Sequence, residues 1–474
     1  MIASFVWSML VPRIAVAERP TEGGMFSFDQ ADDVRNWDEP SGAIRVHYSV
    51  EGPNVTLLAD ADADGVPDYP QDVARTAAEV LQFFATERGL LRPVGEQALG
   101  LGELGGSYAL DIYLVDFAGN ADGSFGLDMC RESPDQCAGY LVIENDFEGY
   151  SYTTLDEAIN VLTSHELFHA VQYAYTAGLP VWMSEGTAVW AEKQWDPASK
   201  DFLRFASAYF RYTARSLDRP PGGPVPTFAY STGLWFDFAT TRHGTTLISD
   251  LLNAVAEPGG DEVDVLAEME TVLGGVDDLR TDWLDFAAWN LATGSRAGTA
   301  ESYEYAAALP GVTAKAEGSA IDDDNRFYPL ATTYYRLDHA GGPIWFGVEE
   351  AAPGLDLALF PVADGAGDGP VGPSAAAWTA DRANSWPVAD GVDFARGGYW
   401  IVASQAARAE QSIKVRICVG DADTAADCAP PIDGDSGGCS ISSPGSSSSQ
   451  WLFIISAVFL ARMGRSQCWA LRRR

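Results

Sequence analysis

His165 and His169 stand four residues apart with Glu166 beside the first, in the stretch Ser164-His165-Glu166-Leu167-Phe168-His169. On a helix, residues four apart project from one face, one turn above the other. Two imidazoles so placed can share a metal ion, and the neighbouring carboxylate reaches the same volume. The chain has five histidines in all, so this spacing around a glutamate is informative. A catalytic zinc takes three protein ligands and keeps one position for water, so a third donor is needed. Glu185, within Trp182-Met183-Ser184-Glu185-Gly186-Thr187-Ala188, supplies it after a short return turn. Glu192 is the other candidate, although a carboxylate there can instead hydrogen-bond a ligand histidine. The competing account makes His165 and His169 core or capping residues and Glu166 a salt-bridge partner. The strands upstream and Glu185 downstream favour the metal.

Those side chains need elements to hold them. Gly42–Val50 alternates apolar and polar residues as a strand does, and Pro70–Gly89 has helical spacing between a Pro start and a Gly stop. Tyr108–Phe117 and Gly139–Asp146 read as strands, Leu155–Tyr175 as a helix, and Ser184–Trp195 as a helix with Ser184 at its N-cap. Residues 200–310 are helix-rich: Asp201–Ser216, Gly233–His243, Thr245–Val255, Glu262–Leu273 and Leu279–Thr293. From Phe327 to Gly420 the pattern becomes short alternating runs between Gly, Pro and Asp turns, which suggests an all-β sandwich.

The runs HELFHAVQYAY and VWMSEGTAVWAE together resemble the gluzincin-type zinc metallopeptidases, in particular the secreted ones of myxobacteria and their relatives. IRVHYS, DADADGVPDY, LDIYLVDF and GYLVIEND extend the likeness over roughly residues 40–250. The resemblance implies an α+β zincin-like catalytic domain: a mixed sheet, the HExxH helix, a helical second half and an edge strand that binds extended substrate. Gly139–Asp146 is the candidate edge strand. It also implies zinc held by His165, His169 and Glu185, with Glu166 as general base on the bound water and a protein or peptide as substrate. In such enzymes a Tyr or His beyond the third ligand often stabilises the oxyanion. Tyr230 and His243 are candidates, Tyr230 being preferred for its Tyr-Ser-Thr-Gly context, though each also has an ordinary structural reading.

A second metal pattern lies upstream. Asp60, Asp62, Asp64, Val66 (by its carbonyl) and Asp68 match a D-x-D-x-D-G calcium loop, with Gln71 where the bidentate Glu would stand. An acidic solvated turn is the alternative. Gly100–Gly105 satisfies G-x-G-x-x-G but neither follows a strand nor opens a helix, which excludes a dinucleotide site. His47 and His339 carry no partner pattern. Cys130 with Cys137, and Cys418 with Cys428, are natural local disulfides, leaving Cys439 and Cys468 for the tail.

With a formal net charge of −37 over 474 residues the chain is no nucleic-acid binder, since phosphates would be repelled. The ends point to export. An apolar run before Ala15-Val16-Ala17 reads as a signal peptide over residues 1–17. The domain organisation expected is a zincin-like domain at 18–310, a β-sandwich at 320–420, a flexible linker at 421–450 and a hydrophobic, Arg-ended segment at 451–474. That last layout, with Gly437-Gly438-Cys439 before it, resembles the myxobacterial C-terminal sorting tail, which implies Cys439 as a processing position. An ordinary anchor gives the same membrane or cell-surface association. The protein expected is a monomeric, exported, surface-linked zinc metallopeptidase with zinc and a structural calcium. A catalytically silent surface adhesion protein on the same scaffold, or a zinc hydrolase acting on a non-peptide bond, is the alternative.

Overall fold

Strand alternation builds the first layer. In the computed structural model β1 (Val34–Asp38), β2 (Ile44–Ser49), β3 (Leu110–Val115), β4 (Gly123–Glu132) and β5 (Asp135–Glu144) form one sheet, in the order β1-β2-β3-β5-β4. The residues described are 18–24, 26–132, 135–219, 227–256, 264–363, 368–380, 383–389, 391–406 and 412–428. The signal peptide, Cys439, Cys468 and the tail segment read from the sequence lie outside them. β2, β3 and β5 run parallel, while β1 and β4 are antiparallel to their neighbours. Parallel neighbours need a long crossover, and α1 (Asp68–Glu87) lies between β2 and β3 in the chain. Gly139–Asp146 is therefore not the edge. β5 pairs on both sides, and β4, whose Gly-Ser-Phe-Gly start hides its strand character, takes the rim.

Register sorts the side chains onto two faces. Ile112, Leu114, Leu141 and Ile143 join the core under the helices, while Tyr113, Val115, Tyr140 and Val142 form a separate cluster on the back. Phe26 and Phe28 of the N-terminal segment pack onto that back face. There Arg19, with 2% of its surface exposed, meets Glu96, Asp111 at 2.5 Å and Asp128 at 2.6 Å. His47 has a partner after all, Asp111 at 2.8 Å, and its ring stacks on Tyr113.

A helical layer follows: α2 (Leu155–Gln172), α3 (Val181–Trp195), α4 (Asp201–Tyr209), α5 (Thr227–Ser231), α6 (Gly233–His243), α7 (Leu247–Ala256), α8 (Val265–Leu273) and α9 (Val276–Leu291). Trp235, Trp283, Phe238 and Phe286 interlock at centroid distances of 5.1–5.6 Å and knit α6 to α9.

Beyond α9 come β6 (Ala316–Gly318), β7 (Ile321–Phe327), β8 (Ala331–His339), β9 (Trp345–Val348), β10 (Leu355–Pro361), β11 (Ala376–Thr379), β12 (Asn384–Pro387), β13 (Gly397–Gln405) and β14 (Ile413–Gly420). They make a five-stranded sheet, β11-β10-β13-β8-β6, and a four-stranded one, β12-β9-β14-β7. Leu337, Ile401 and Leu357 join the core with Phe346 and Ile417, whereas Tyr334, Val402 and Phe360 of the same strands join the helical core. Tyr334 donates to the Ala287 carbonyl of α9 at 3.0 Å, and Arg280 reaches Asp356 at 2.7 Å. The larger sheet is thus covered on both faces. Residues 422–428, read from composition as tether, form a helix, α10 (Ala422–Cys428), tied by the Cys418–Cys428 disulfide; Cys130–Cys137 is the other among the described residues.

Arg19→Met strips three buried carboxylates of their shared cation, which should cost about 3–5 kcal/mol. Burial already pushes the Glu96 carboxyl above the usual range, against the pull of the Leu104 N–H and Arg19. Without Arg19 it rises further, so the penalty is largest above that raised value. In urea titrations the deficit of Arg19→Met against wild type should be large at pH 8 and shrink toward pH 4; an equal deficit at both would rule out the ionic origin.

Candidate metal centre

Two helices carry the site. α2 starts where Thr154 accepts from the Glu157 N–H at 3.1 Å, and 13 of its 18 residues are buried. A helix so apolar on every side belongs inside, between the sheet and the helices that follow. α3 begins at Val181 after Pro180, four residues earlier than a Ser184 N-cap would have it. Ser184 sits in its first turn, and its hydroxyl donates to Gln172 Oε1 at 3.0 Å.

Packing α3 on α2 brings His165, His169 and Glu185 together, with one donor atom from each within 4.8 Å of the others. Glu185 Oε2 lies 3.3 Å from His165 Nε2 and 3.7 Å from His169 Nε2. It is buried, yet in hydrogen-bond geometry with neither imidazole. Both rings are turned by bonds on their far nitrogens. His165 Nδ1 is 2.5 Å from Glu192 Oε1; burial pushes that carboxyl up to about 7 against the pull of His165, and once ionised it only accepts. His169 Nδ1 is 2.9 Å from Gln172 Oε1, and the Gln172 amide is fixed because its Nε2 donates to the Ser184 carbonyl and Thr187 Oγ1. Each Nδ1 therefore carries the proton, and each Nε2 presents a lone pair toward Glu185. Two imidazole nitrogens and one carboxylate oxygen, converging and unsatisfied, fit a zinc ion. Glu192 is excluded from that set, since it contacts the far nitrogen of His165 and so orients the ring.

Glu166 is 5% exposed, and its Oε2 has no hydrogen-bond partner among the described residues. Burial pushes its carboxyl above the usual range, against the pull of His169 and His165. Burial also works to raise Glu185, yet the two imidazoles, whenever they carry a second proton, hold it well below the usual carboxylate range. Gly123 of β4 faces this carboxylate. A Cβ there would lie 2.8 Å from Glu166 Oε1 and 2.7 Å from Leu162 Cδ1, so glycine lets the rim strand approach the base.

Tyr230 and His243 part company. The Tyr230 ring lies 5.8 Å from that of His165 and stacks on Phe205 at 4.8 Å. Burial, with Glu185 and Glu166 adding to it, raises its phenol far above the ordinary value, so it stays protonated and able to donate. His243 pairs with Asp282 at 2.8 Å on α9, outside the group formed by His165, His169 and Glu185.

In the upstream loop Asp60, Asp62 and Asp68 bring oxygens within 4.8 Å of one another. Asp64 instead accepts from the Val66 N–H and Gln71 Nε2, both at 2.8 Å. Gly65 has φ +92°, the left-handed turn such a loop requires. Gln71, at position twelve, therefore ties down the Asp64 carboxylate.

Gln172 and Gly123 escaped the sequence reading. Gln172 was accessible, being three residues after His169 on the same helical face. Gly123 was not, because its role depends on β4 being the rim. No protein-family model and no curated protein matches this chain, so function rests on the side-chain chemistry.

Glu192→Ala should weaken zinc binding about 10–100-fold, read by competition against a chromophoric chelator. Glu192→Gln, which keeps an acceptor for His165 Nδ1, should restore most of it. Equal weakening in both would show that charge, not orientation, is what Glu192 supplies.

Proposed function

We propose that the chain is a zinc-dependent peptide hydrolase of the gluzincin type. One observation carries it: His165 Nε2, His169 Nε2 and Glu185 Oε2 converge beside a buried carboxylate, Glu166, that has an unpartnered oxygen. His165, His169 and Glu185 would hold the ion. Zinc in such a site lowers the pKa of a bound water to near neutrality and polarises a carbonyl. Glu166 accepts a proton at Oε2 and returns it to the leaving amine, a task suited to a carboxyl raised by burial. Tyr230 donates from its phenol to the developing oxyanion. The outer side of β4, paired on one side alone among the described residues, offers main-chain groups to an extended peptide. An intact Glu166 argues against a silent adhesion scaffold, which has no use for the base. Two disulfides suit an oxidising, extracytoplasmic setting, and no described helix is long and apolar enough to cross a membrane. For the loop at Asp60, Asp62 and Asp68 we propose structural calcium.

The purified protein should contain about one zinc per chain and cleave casein. Glu166→Gln should lose about 10²–10⁴-fold in kcat while retaining the metal. Metal without cleavage in wild type would favour the scaffold reading, and no metal would end the proposal. Separately, about 1 mM Ca²⁺ should raise the thermal midpoint if the loop binds as extracellular modules do. Asp62→Asn, at an exposed position that caps nothing in the helix, should abolish that rise.

A further inference from the structure

On the side of α3 that bears Lys193 and Gln194 lies a cavity of about 280 Å³, bounded by α6, α9 and the 302–305 segment. The chemistry described above does not use it. Its walls are aromatic: Trp289 meets Tyr303 edge-on at 5.2 Å, and Tyr303 stacks on Tyr305 at 5.2 Å. Lys193 Nζ is 2.6 Å from Asp237, which Tyr305 also donates to, and 4.2 Å from the centre of the Tyr305 ring. That ion pair is satisfied and forms one end of the cavity.

The remaining polar groups define what would fit. Tyr305 and Thr241 donate to Asp237, and Ser302 donates to the Trp289 carbonyl, so all three hydroxyls keep free lone pairs. The side chains of Gln194, Thr245 and Glu304 have no partner among the described residues. Free acceptors therefore stand beside free donors (the Gln194 amide, the Thr245 hydroxyl and the remaining Lys193 N–H groups), and a ligand must offer both. Lys193 and Asp237 neutralise each other, and the remaining charge, Glu304, is at an exposed position, so no buried charge in the lining calls for an ionic ligand. An uncharged ring with many hydroxyls and a flat C–H face matches both the acceptors and the aromatic wall. The geometry points to a binding site for a single sugar ring, free or at the end of a glycan. None of His165, Glu166, His169 and Glu185 lines it.

Calorimetric titration of the full chain with glucose, galactose, mannose and N-acetylglucosamine, and with lactose and chitobiose for a glycan end, tests this. At least one should bind with Kd of order 1 mM and quench tryptophan emission. Gln194→Ala and Glu304→Ala should each weaken it at least ten-fold, with thermal midpoints unchanged. Glu166→Gln should bind the sugar as wild type does, which separates this site from the proposed hydrolysis. A disaccharide that binds more tightly than any monosaccharide supports the glycan end as the source. No heat from any of the six, or unaltered binding in both alanine variants, would overturn the proposal. So would tighter binding of lysine or glutamate than of any sugar.

Discussion

Three buried carboxylates without a basic partner are the constraint on which the centre of this structure depends. Glu166, Glu185 and Glu192 lie within a few side chains of one another, 5%, partly and 2% exposed. None is paired with a lysine or arginine among the described residues; their ionic neighbours are His165 and His169. Burying charge without compensation costs several kcal/mol per ion. A divalent cation between the imidazoles and Glu185 would offset that cost, and Glu192 would then be stabilised by the polarised N–H of His165.

The surrounding architecture follows from holding that cluster dry and still. α2 is buried on every side because a ligand helix at the surface would admit water to all three carboxylates. α3 must return within a few residues, and the Gln172 amide clamps the return by bonding His169, Ser184 and Thr187 together. The sheet must come close on the other side, which only a glycine at 123 permits. β4, paired on one side alone among the described residues, is the strand that lies against the Glu166 carboxylate.

How much of this the sequence discloses depends on whether the signal is local. The spacing of His165, Glu166 and His169 is a helical-face argument, and α1, α2, α6 and α9 were legible from the same period. Glu185 needed only a short turn. Sheet order was not legible. GYLVIEND is the most strand-like stretch near the site, and that apolar continuity marks a strand buried on both sides, not a rim. The true rim, GSFGLDMCRE, carries two glycines and three charges because it is an edge. Local context favoured Tyr230 over His243 without deciding between them; the tertiary position of Asp282 supplies the reason to withdraw the histidine.

The same sheet carries a second buried acidic cluster, and the contrast gives the first its meaning. On the back face, Glu96, Asp111 and Asp128 gather around Arg19, whose guanidinium sits 2.5–2.6 Å from the two aspartates and stacks on Tyr140. There the chain supplies its own cation, from a segment far away in sequence, and the result is a closed, satisfied knot that can only hold. On the front face it supplies oriented imidazoles with free lone pairs and a carboxylate with an unpartnered oxygen. Two solutions to one electrostatic problem stand on opposite sides of a single strand layer. The fold brings an arginine to one cluster and, among the described residues, leaves the other with no basic partner but His165 and His169, which is the imbalance the proposed cation would relieve.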